Sequence, residues 1–207
     1  EGGAAVAFAR LGVDGTTTWM GDERAPAGDS IGAIAVAPRG GDIVVVDGYT
    51  ASTSRRPPQG PPPNRWRISR FSGGGQLRWT KDYAANGFVR FDRLAVDEGG
   101  NIHLGGTFDG GIDVGRGLQR SAGQDDAVMV DFDAEGNVRW AQFIATHGSD
   151  RVAALTATAD GIFAIVEVGG PRPRESPGLP FDGEPGTHLV RLGTDGDLRS
   201  SKRLELG

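Results

Sequence analysis

Of all segments of the sequence, residues 131–136 most resemble a metal-binding loop, because of their carboxylates. Asp131, Asp133 and Glu135 alternate along this segment, as carboxylates do at the start of a calcium loop, where they converge on one hard cation. The position that would carry the bidentate glutamate of such a loop is Gln142. Related segments near the start and the end of the chain lack the first two carboxylates. We therefore interpret the segment as an acidic hairpin turn with Asx-type hydrogen bonds.

The histidines and the glycine runs offer no reaction centre either. His103, His147 and His188 are spaced without regard to the carboxylates, and we predict that each is an isolated surface or strand residue. The glycine run 73–75 opens no helix, so it is a hairpin turn and not a phosphate cradle. The chain has no cysteine, which excludes a disulfide, a thiolate metal site and a cysteine nucleophile. The sequence therefore predicts no catalytic residue, no metal and no cofactor.

The amino-acid composition indicates the structural class of the protein. The chain has 207 residues with 35 glycines and 12 prolines scattered between short apolar runs, which is typical of many short strands joined by tight turns. The net charge of -5 argues against a surface built for nucleic acid. No stretch approaches the roughly 18 consecutive apolar residues of a membrane span, so we expect no membrane insertion. Because the chain opens on Glu1, we interpret it as a mature product or an excerpt.

An internal repeat organises the whole chain. Its mark is a turn glycine at positions 15, 75, 136 and 196, which gives steps of 60, 61 and 60 residues. Four residues after the first three of these glycines stand Trp19, Trp79 and Trp140, whereas Ser200 follows the fourth. An aromatic residue that recurs once per repeat is a structural cue. We therefore predict that these tryptophans pack between neighbouring repeats and do not stack on a ligand.

Each repeat contains strand signals at matching positions. Apolar runs precede the four turns, and two further apolar runs separated by a glycine turn follow the first three; none has a helical period. The predicted fold is all-β: four-stranded antiparallel β-propeller blades with strands named A to D from the inside outward. The predicted units are strands C and D of a partial blade at 1–24 and whole blades at 25–84, 85–145 and 146–207.

Three and a half blades form an open arc, whereas a propeller needs about four or more blades to close its ring. Open terminal blades expose apolar faces and promote association. One expectation is that further polypeptide supplies strands A and B of the first blade. The alternative is that two copies complete one ring of seven blades. We favour the first.

Residues 100–108, 112–115, 121–132 and 136–140 together resemble the bacterial seven-bladed β-propeller repeat (SBBP). The resemblance covers nearly the whole chain and is strongest over 88–169. It implies a secreted or outer-surface bacterial protein, often a lipoprotein, with a non-catalytic role. Two features depart from the pattern: Ser200 replaces the tryptophan of the last repeat, and Asp131 stands where the other repeats carry arginine, at Arg10, Arg70 and Arg191.

The connections between strands differ at the two ends of a blade. The A-to-B and C-to-D turns are uniformly tight, whereas the segments 51–64, 109–125 and 169–186 are long and unlike one another. Long variable loops on a rigid scaffold commonly carry binding residues. The B-to-C loops also carry arginines in an otherwise acidic chain, namely Arg55, Arg56, Arg116, Arg120, Arg172 and Arg174. One hypothesis is that they bind an anionic glycan or an acidic protein; the alternative is that the loops are merely solvated.

The leading hypothesis is a non-enzymatic binding or scaffold module at the cell surface, with an unknown protein or glycan as partner and no nucleic acid. A propeller enzyme, such as a hydrolase or a quinone-dependent dehydrogenase, is the alternative from another class. Its centre would lie at the channel mouth, where the inner strands offer mainly Asp92 and Arg93. A self-associating structural protein is the third hypothesis.

Overall fold

The computed structural model describes residues 5–11, 13–24, 29–49, 64–171 and 184–205. These residues form strands and turns only, so they contain no helix long and apolar enough to cross a membrane. The strands are β1 (Ala5–Leu11), β2 (Thr17–Arg24), β3 (Asp29–Val36), β4 (Ile43–Tyr49), β5 (Asn64–Phe71), β6 (Leu77–Ala85), β7 (Val89–Val96), β8 (Ile102–Phe108), β9 (Gly111–Asp113), β10 (Leu118–Arg120), β11 (Asp126–Phe132), β12 (Val138–Ile144), β13 (Arg151–Thr158), β14 (Gly161–Val168), β15 (Gly186–Leu192) and β16 (Leu198–Leu204).

The protein is all-β, and every pair of neighbouring strands is antiparallel. Sheet 1 is the pair β1 and β2; sheet 2 contains β3 to β6 with β9 and β10 added beyond β6; sheet 3 has the order β12-β11-β8-β7; and sheet 4 has the order β13-β14-β15-β16. Consecutive strands pair within each sheet, apart from the detour through β9 and β10. Short hairpins therefore make most of the connections.

The backbone geometry repeats with the same period as the sequence. The first strands of sheets 2, 3 and 4 each carry a register shift near the same repeat position, at Ile31/Ala33, Phe91/Arg93 and Val152/Ala154. These first strands also lie beside one another, because β7 contacts both β3 and β13. Repeated bulges at one position are typical of features that aim side chains and bend strands. The three sheets thus repeat one structural unit.

Sheets 2, 3 and 4 stack face to face. Along β4, Val44 and Val46 belong to the core cluster that β7 and β8 share, whereas Ile43 and Val45 point to the opposite face and form a cluster with Phe71. A second large cluster lies between sheets 3 and 4. Side chains of a strand alternate between its two faces. Sheets 2 and 3 are therefore apolar on both faces, and each contributes to two cores.

A hairpin that the sequence did not predict, β9 with β10, lies within residues 109–125, which we expected to be a long variable loop. β9 pairs with the end of β6 through Ala85 and Ile112, and Ile112 and Val114 are buried. Trp66 Nε1 donates a hydrogen bond to the Asp113 carbonyl at 3.1 Å. The hairpin therefore closes the outer edge of the core between sheets 2 and 3.

Tryptophans of the outer strands join each sheet to the hairpin of the next. Trp79 Nε1 donates to the Ala134 carbonyl at 3.1 Å, and Trp140 Nε1 donates to the Thr194 carbonyl at the same distance. A Cβ atom on Gly136 would lie 2.9 Å from the Trp79 ring, so the indole packs directly on the turn glycine. The predicted packing of tryptophans between repeats is confirmed at these two positions.

Replacement of Trp140 by alanine is expected to lower the free energy of unfolding by about 3–5 kcal/mol, because Trp140 is almost completely buried against the turn of sheet 4. Urea unfolding followed by circular dichroism measures this change. Leu77→Ala is the control, since Leu77 begins an outer strand but is exposed; its change should stay within about 0.5 kcal/mol. Equal losses in the two variants would contradict the proposed role of the tryptophan.

Candidate functional site

Three connecting segments meet at one end of sheets 3 and 4. Gln124 N donates to the Gly148 carbonyl at 3.3 Å, and His147 N donates to the Pro171 carbonyl at 3.2 Å. We call residues 121–125, 146–149 and 169–171 the loop platform. The first segment precedes β11, the second joins β12 to β13, and the third follows β14. The predicted placement of the B-to-C and D-to-A connections on one face is confirmed for these segments.

The carboxylate of Asp150 holds two of these segments together. Thr146 donates to it through its backbone N at 2.8 Å and its Oγ1 at 2.9 Å. Gly169 N donates to the same carboxylate at 2.9 Å. Hydrogen bonds to a charged acceptor each contribute about 1.5–3 kcal/mol. Asp150 is therefore the main anchor of the second and third segments.

Asp126 is a second buried carboxylate beneath the platform. It accepts a hydrogen bond from the backbone N of Ala122 in the first segment. Burial raises the pKa of Asp126 to about 6 and also raises the pKa of Asp150, and the two carboxyl groups interact with each other. The nearby charge of Asp150 adds to the effect of burial on the pKa of Asp126, whereas the hydrogen bond from Ala122 opposes it.

Glycines let the platform backbones approach one another. A Cβ atom on Gly148 would lie 2.3 Å from the Gly169 carbonyl carbon, and one on Gly123 would lie 2.2 Å from the Thr146 carbonyl oxygen. Any side chain at these positions would force the backbones apart. The platform surface is formed by backbone together with the exposed side chains of Gln124, His147 and Ser149. It is thus a rigid polar surface.

The structure places two of the six predicted arginines at different ends of one hairpin. Arg120 ends β10, is exposed, and directly precedes the platform residue Ser121. Arg116 lies at the tip of the hairpin, where its guanidinium donates to the Arg139 carbonyl on the outer strand β12. The structure therefore does not bring Arg116 together with Arg120. The other four arginines lie outside the described residues: Arg55, Arg56, Arg172 and Arg174.

At the opposite end of the sheets, the acidic segment 131–136 forms a hairpin turn. Asp133 accepts hydrogen bonds from Asn137 N at 2.7 Å and Asn137 Nδ2 at 2.8 Å. Asp97 accepts the same pair of bonds from Asn101. Asp131 is fully buried and points away from solvent. The predicted Asx-type turn is confirmed, and the described residues contain no group of three or more side chains suited to a metal.

His103 is not the isolated residue that the sequence predicted. It is buried between two carboxylates: its Nε2 lies 3.6 Å from Asp97 Oδ2, and its Nδ1 lies 3.6 Å from Asp131 Oδ1. Burial lowers the pKa of His103 and raises that of Asp131 to about 7. Antiparallel pairing places Asp131 directly opposite His103. The two side chains lie close together because of this register, which cannot be read from their spacing in the sequence.

The other two histidines have different surroundings. His147 is exposed on the platform, and His188 is buried with its Nε2 2.9 Å from the Glu184 carbonyl.

The departure of Asp131 from the repeat pattern is accompanied by a change of partner. In sheet 2 the equivalent residue is the buried Arg70, which pairs with Asp42 at 3.0 Å and donates to the Ala134 carbonyl of sheet 3. In sheet 3 the charges are exchanged, because Asp131 pairs with Arg139 at 3.2 Å. Arg139 in turn donates to the Thr194 carbonyl of sheet 4 at 2.6 Å. Sheets 2 and 3 thus each present one arginine to the turn of the next sheet.

The first strands of sheets 3 and 4 carry a second group of charges. Arg90 and Arg93 pair with Asp92 at 3.2 and 3.3 Å, and Arg93 Nε also donates to the Ala153 carbonyl of β13 at 2.6 Å. Arg151 pairs with Glu167 at 2.7 Å. We call these five charged residues the inner-strand cluster. The sequence pointed to charges from one repeat only, whereas the structure brings together charges from β7, β13 and β14.

The sequence did not reveal Asp126, Thr146 and Asp150 as functional-site residues, because they lie in or beside connections that we expected to be variable loops. A signal for them exists. Glycine stands three residues before Asp126 and two residues before Asp150, in each case just ahead of a strand. A glycine followed closely by aspartate is typical of a tight turn whose backbone N–H groups are bound by a carboxylate.

No protein-family model and no curated protein matches this chain. Two solved structures, both point variants of the Synechocystis apocarotenoid oxygenase, resemble 94% of this chain with 12% sequence identity and a TM-score of 0.47. The chain spans 44% of the length of that oxygenase. A likeness of this size carries no argument about the fold or the activity of this chain.

Replacement of Asp150 by asparagine is expected to loosen the platform, because the amide offers one acceptor atom where the carboxylate offers two. We expect the backbone amides of Thr146 and Gly169 to exchange with deuterium at least about tenfold faster, since the loss of one charge-assisted bond corresponds to about 1.5 kcal/mol. Asp109→Asn, in an exposed position before β9, is the control and should leave both amides unchanged. Unchanged exchange in Asp150→Asn would contradict the anchoring role.

The pKa of Asp131 predicts a pH dependence of stability. Its folded pKa of about 7 lies above the ordinary value of 3.8, so the folded chain retains a proton that the unfolded chain loses between about pH 4 and 7. Stability therefore falls as the pH rises through this window. Relative to Asp131→Asn, the native protein should lose free energy of unfolding from pH 4 to 7 and show no further loss above pH 8.

Asp133→Asn is the matched control for this titration. In the native protein, burial acts to raise the pKa of Asp133, but the hydrogen bonds that its carboxylate accepts from Asn137 lower it by more. Its contribution to stability is present above pH 4 and is lost as the pH falls, which is the opposite sign. Urea unfolding at several pH values distinguishes the two. A difference between the native protein and Asp131→Asn that does not vary with pH would refute the prediction.

Proposed function

We propose that this protein is a non-enzymatic β-propeller module that binds an anionic partner at a bacterial cell surface. The chain would contribute strands C and D of one blade and three whole blades, and these blades would belong to the SBBP repeat class. The secreted or surface location rests on the sequence resemblance alone. The partner would be an anionic glycan or an acidic protein, held through arginines beside the loop platform.

Two structural features support a propeller arrangement. Four-stranded sheets repeat with the same strand order and the same inner-strand bulge, and their first strands lie side by side in sequence order, with β7 between β3 and β13. Blades of a propeller place their first strands around a central channel in this way. The stacked faces of the sheets supply the apolar cores that such blades share.

The loop platform is the observation that carries the binding proposal. Connections from two sheets are tied together by Asp126 and Asp150, so the surface is preorganised and a ligand need not order it on binding. Arg120 stands immediately before the platform, and Arg172 immediately follows its last residue, Pro171. Arginine suits carboxylate, sulfate and phosphate groups because its planar fork donates two parallel hydrogen bonds.

The inner-strand cluster is the feature that would favour the second candidate, a propeller enzyme with its centre at the channel mouth. Its carboxylates Asp92 and Glu167 are already paired with arginines of their own sheets, and Arg151 lowers the pKa of Glu167. A general acid or base requires a pKa near the working pH. The binding role is therefore the better supported one.

Simultaneous replacement of Arg55, Arg56, Arg172 and Arg174 by glutamine tests the binding proposal. The probes are immobilised dextran sulfate for an anionic glycan and polyglutamate for an acidic protein, with uncharged dextran as the blank. We expect retention of the native protein in 20 mM salt, at least fivefold weaker retention of the variant, and loss of the difference in 500 mM salt, because exposed charges are screened. Which probe is retained identifies the partner class.

The matched control neutralises four cations away from the platform, at Arg39, Lys81, Arg199 and Lys202. It changes the net charge by the same amount and should keep at least half of the native retention. If both variants lose retention equally, the native protein binds through net charge and the platform has no special role. If the native protein is not retained on either probe, the proposed function is wrong.

A further inference from the structure

Two buried carboxyl groups from different connections lie together beneath the loop platform. Asp126 is fully buried and Asp150 is 1% exposed, and the two side chains lie within hydrogen-bonding reach of each other. Asp126 begins β11, next to the first platform segment, whereas Asp150 immediately precedes β13 and binds the second and third segments. Two carboxylates that share a buried site cannot both ionise without a large cost. The pair therefore requires a positively charged ligand.

One oxygen of the pair lacks a donor. Asp126 Oδ2 accepts a hydrogen bond from Ala122 N, whereas Asp126 Oδ1 is buried with no hydrogen-bond partner among the described residues. Asp150 differs, because both of its oxygens accept hydrogen bonds from Thr146, and its Oδ1 also accepts one from Gly169 N. A buried acceptor without a donor costs free energy. A proton between the two carboxyl groups removes this cost, since a protonated carboxyl is a donor.

The surroundings of the pair favour a proton over a metal ion. Backbone N–H groups from all three platform segments donate to these carboxylates: those of Ala122, Thr146 and Gly169. N–H donors occupy the lone pairs that a hard cation would need, and they offer it no oxygen ligand. The part of the chain that the structure describes also holds no group of three or more side chains suited to a metal. A proton, which needs only two oxygens, fits the pair.

No other charge compensates the pair. The elements around it carry charged or titratable groups near their platform ends: Arg90 on β7, Asp109 after β8, Arg120 and Asp125 before β11, His147 in the platform, Arg151 on β13 and Glu167 on β14. Within the described residues, none of these forms an ion pair with Asp126 or Asp150, and Arg90 and Arg151 are paired elsewhere. Of the neighbouring charges, that of Asp150 acts most strongly on Asp126.

The titration of the pair agrees with this geometry. Burial, with the charge of Asp150 adding to it, raises the pKa of Asp126 from 3.8 to about 6, and burial also raises the pKa of Asp150. The closed platform therefore retains a proton that hydrated, open segments would lose, so its closed state is most stable in acid and loses stability as the pH rises through about 6. A difference of about two pH units changes the opening equilibrium by up to about a hundredfold.

We propose that Asp126 and Asp150 form a proton-dependent latch, which fastens the first platform segment to the other two in acid and lets it open more readily at neutral pH. The single shared proton joins the residue beside the first segment to the residue that anchors the second and third. Opening separates Gln124 from the Gly148 carbonyl and from the Ser149 hydroxyl, which it contacts in the closed platform.

Asp126→Asn tests the latch, because its amide donates a hydrogen bond at every pH and so imitates the protonated pair. The readout is the protection of the Ala122 and Gln124 backbone amides against hydrogen exchange, corrected for the intrinsic effect of pH. We expect protection in the native protein to fall at least about tenfold from pH 4.5 to 7, and protection in Asp126→Asn to be nearly equal at the two pH values. Asp109→Asn, at an exposed carboxylate, is the matched control and should keep the native pH dependence.

Three results would overturn the latch. The first is native protection that does not change with pH. The second is an equal loss of protection in Asp126→Asn at both pH values, which would give Asp126 a purely structural role. The third is protection at pH 7 that calcium chloride restores, since the ligand of the pair would then be a metal ion. A carbon-13 titration of the Asp126 carboxyl in the native protein decides the question without any variant, because a midpoint near pH 4 would also contradict the proposal.

The consequence for binding rests on the proposed function. Dextran sulfate keeps its charge from pH 4.5 to 7, so the native protein should be retained at least threefold more strongly at the lower pH, and Asp126→Asn about equally at both. The comparison is repeated in the His147→Gln background, because a histidine on the platform can itself gain charge in acid. Absence of retention at both pH values refutes the proposed function, whereas the exchange measurement alone decides the latch.

Discussion

Each central sheet of this protein is apolar on both faces, and this constraint determines the rest of the structure. All seven residues of β11 are buried, and alternate residues of β4 belong to different clusters. A sheet of this kind can bury its apolar area only between two other layers. The sheets must therefore stack in series, and a repeat that codes for one sheet also codes for half of each neighbouring interface.

Polar contacts then fix the spacing of the stacked sheets. Ala134 and Thr194 occupy the same position in successive turns, and the carbonyl of each accepts one hydrogen bond from an indole and one from a guanidinium of the preceding sheet. The apolar contacts are non-directional, whereas these bonds are directional. The apolar faces consequently drive stacking, and the turn carbonyls select one alignment of the sheets.

The exchange of charges between sheets 2 and 3 shows which part of this contact the repeat preserves. Arg70 is held by Asp42, whereas Asp131 takes the position of Arg70 and holds Arg139 instead. An arginine reaches the next turn in both cases. The exchange leaves Asp131 without solvent, and this burial raises its pKa, with the charges of Asp97 and Asp133 adding to the effect. The repeat preserves a guanidinium that donates to the turn carbonyl, whereas the repeat position of the arginine that supplies it changes from Arg70 to Arg139.

The sequence predicted the strands, the period and the turns because these depend on neighbouring residues: alternating apolar side chains, and glycine at the positive φ of Gly75, Gly136 and Gly196. It did not predict the β9 and β10 hairpin, which exists because Ile112 and Val114 fill a core formed by two different sheets. It missed the loop platform for the same reason, since Asp150 binds Gly169 across 19 residues. Contacts of this kind depend on how sheets stack.

The two ends of the stack are held in different ways, and this difference favours binding at the platform. At the turn end, arginine and tryptophan side chains cross from one sheet to the next, so a substitution there alters the alignment of the sheets. At the platform end, Asp126 and Asp150 lie beneath the surface and bind backbone N–H groups. The exposed side chains of Gln124, His147 and Ser149 lie above this support, and Ser149 bonds only to Gln124 among the described contacts. These surface residues can therefore be substituted while the buried carboxylates keep the backbone in place.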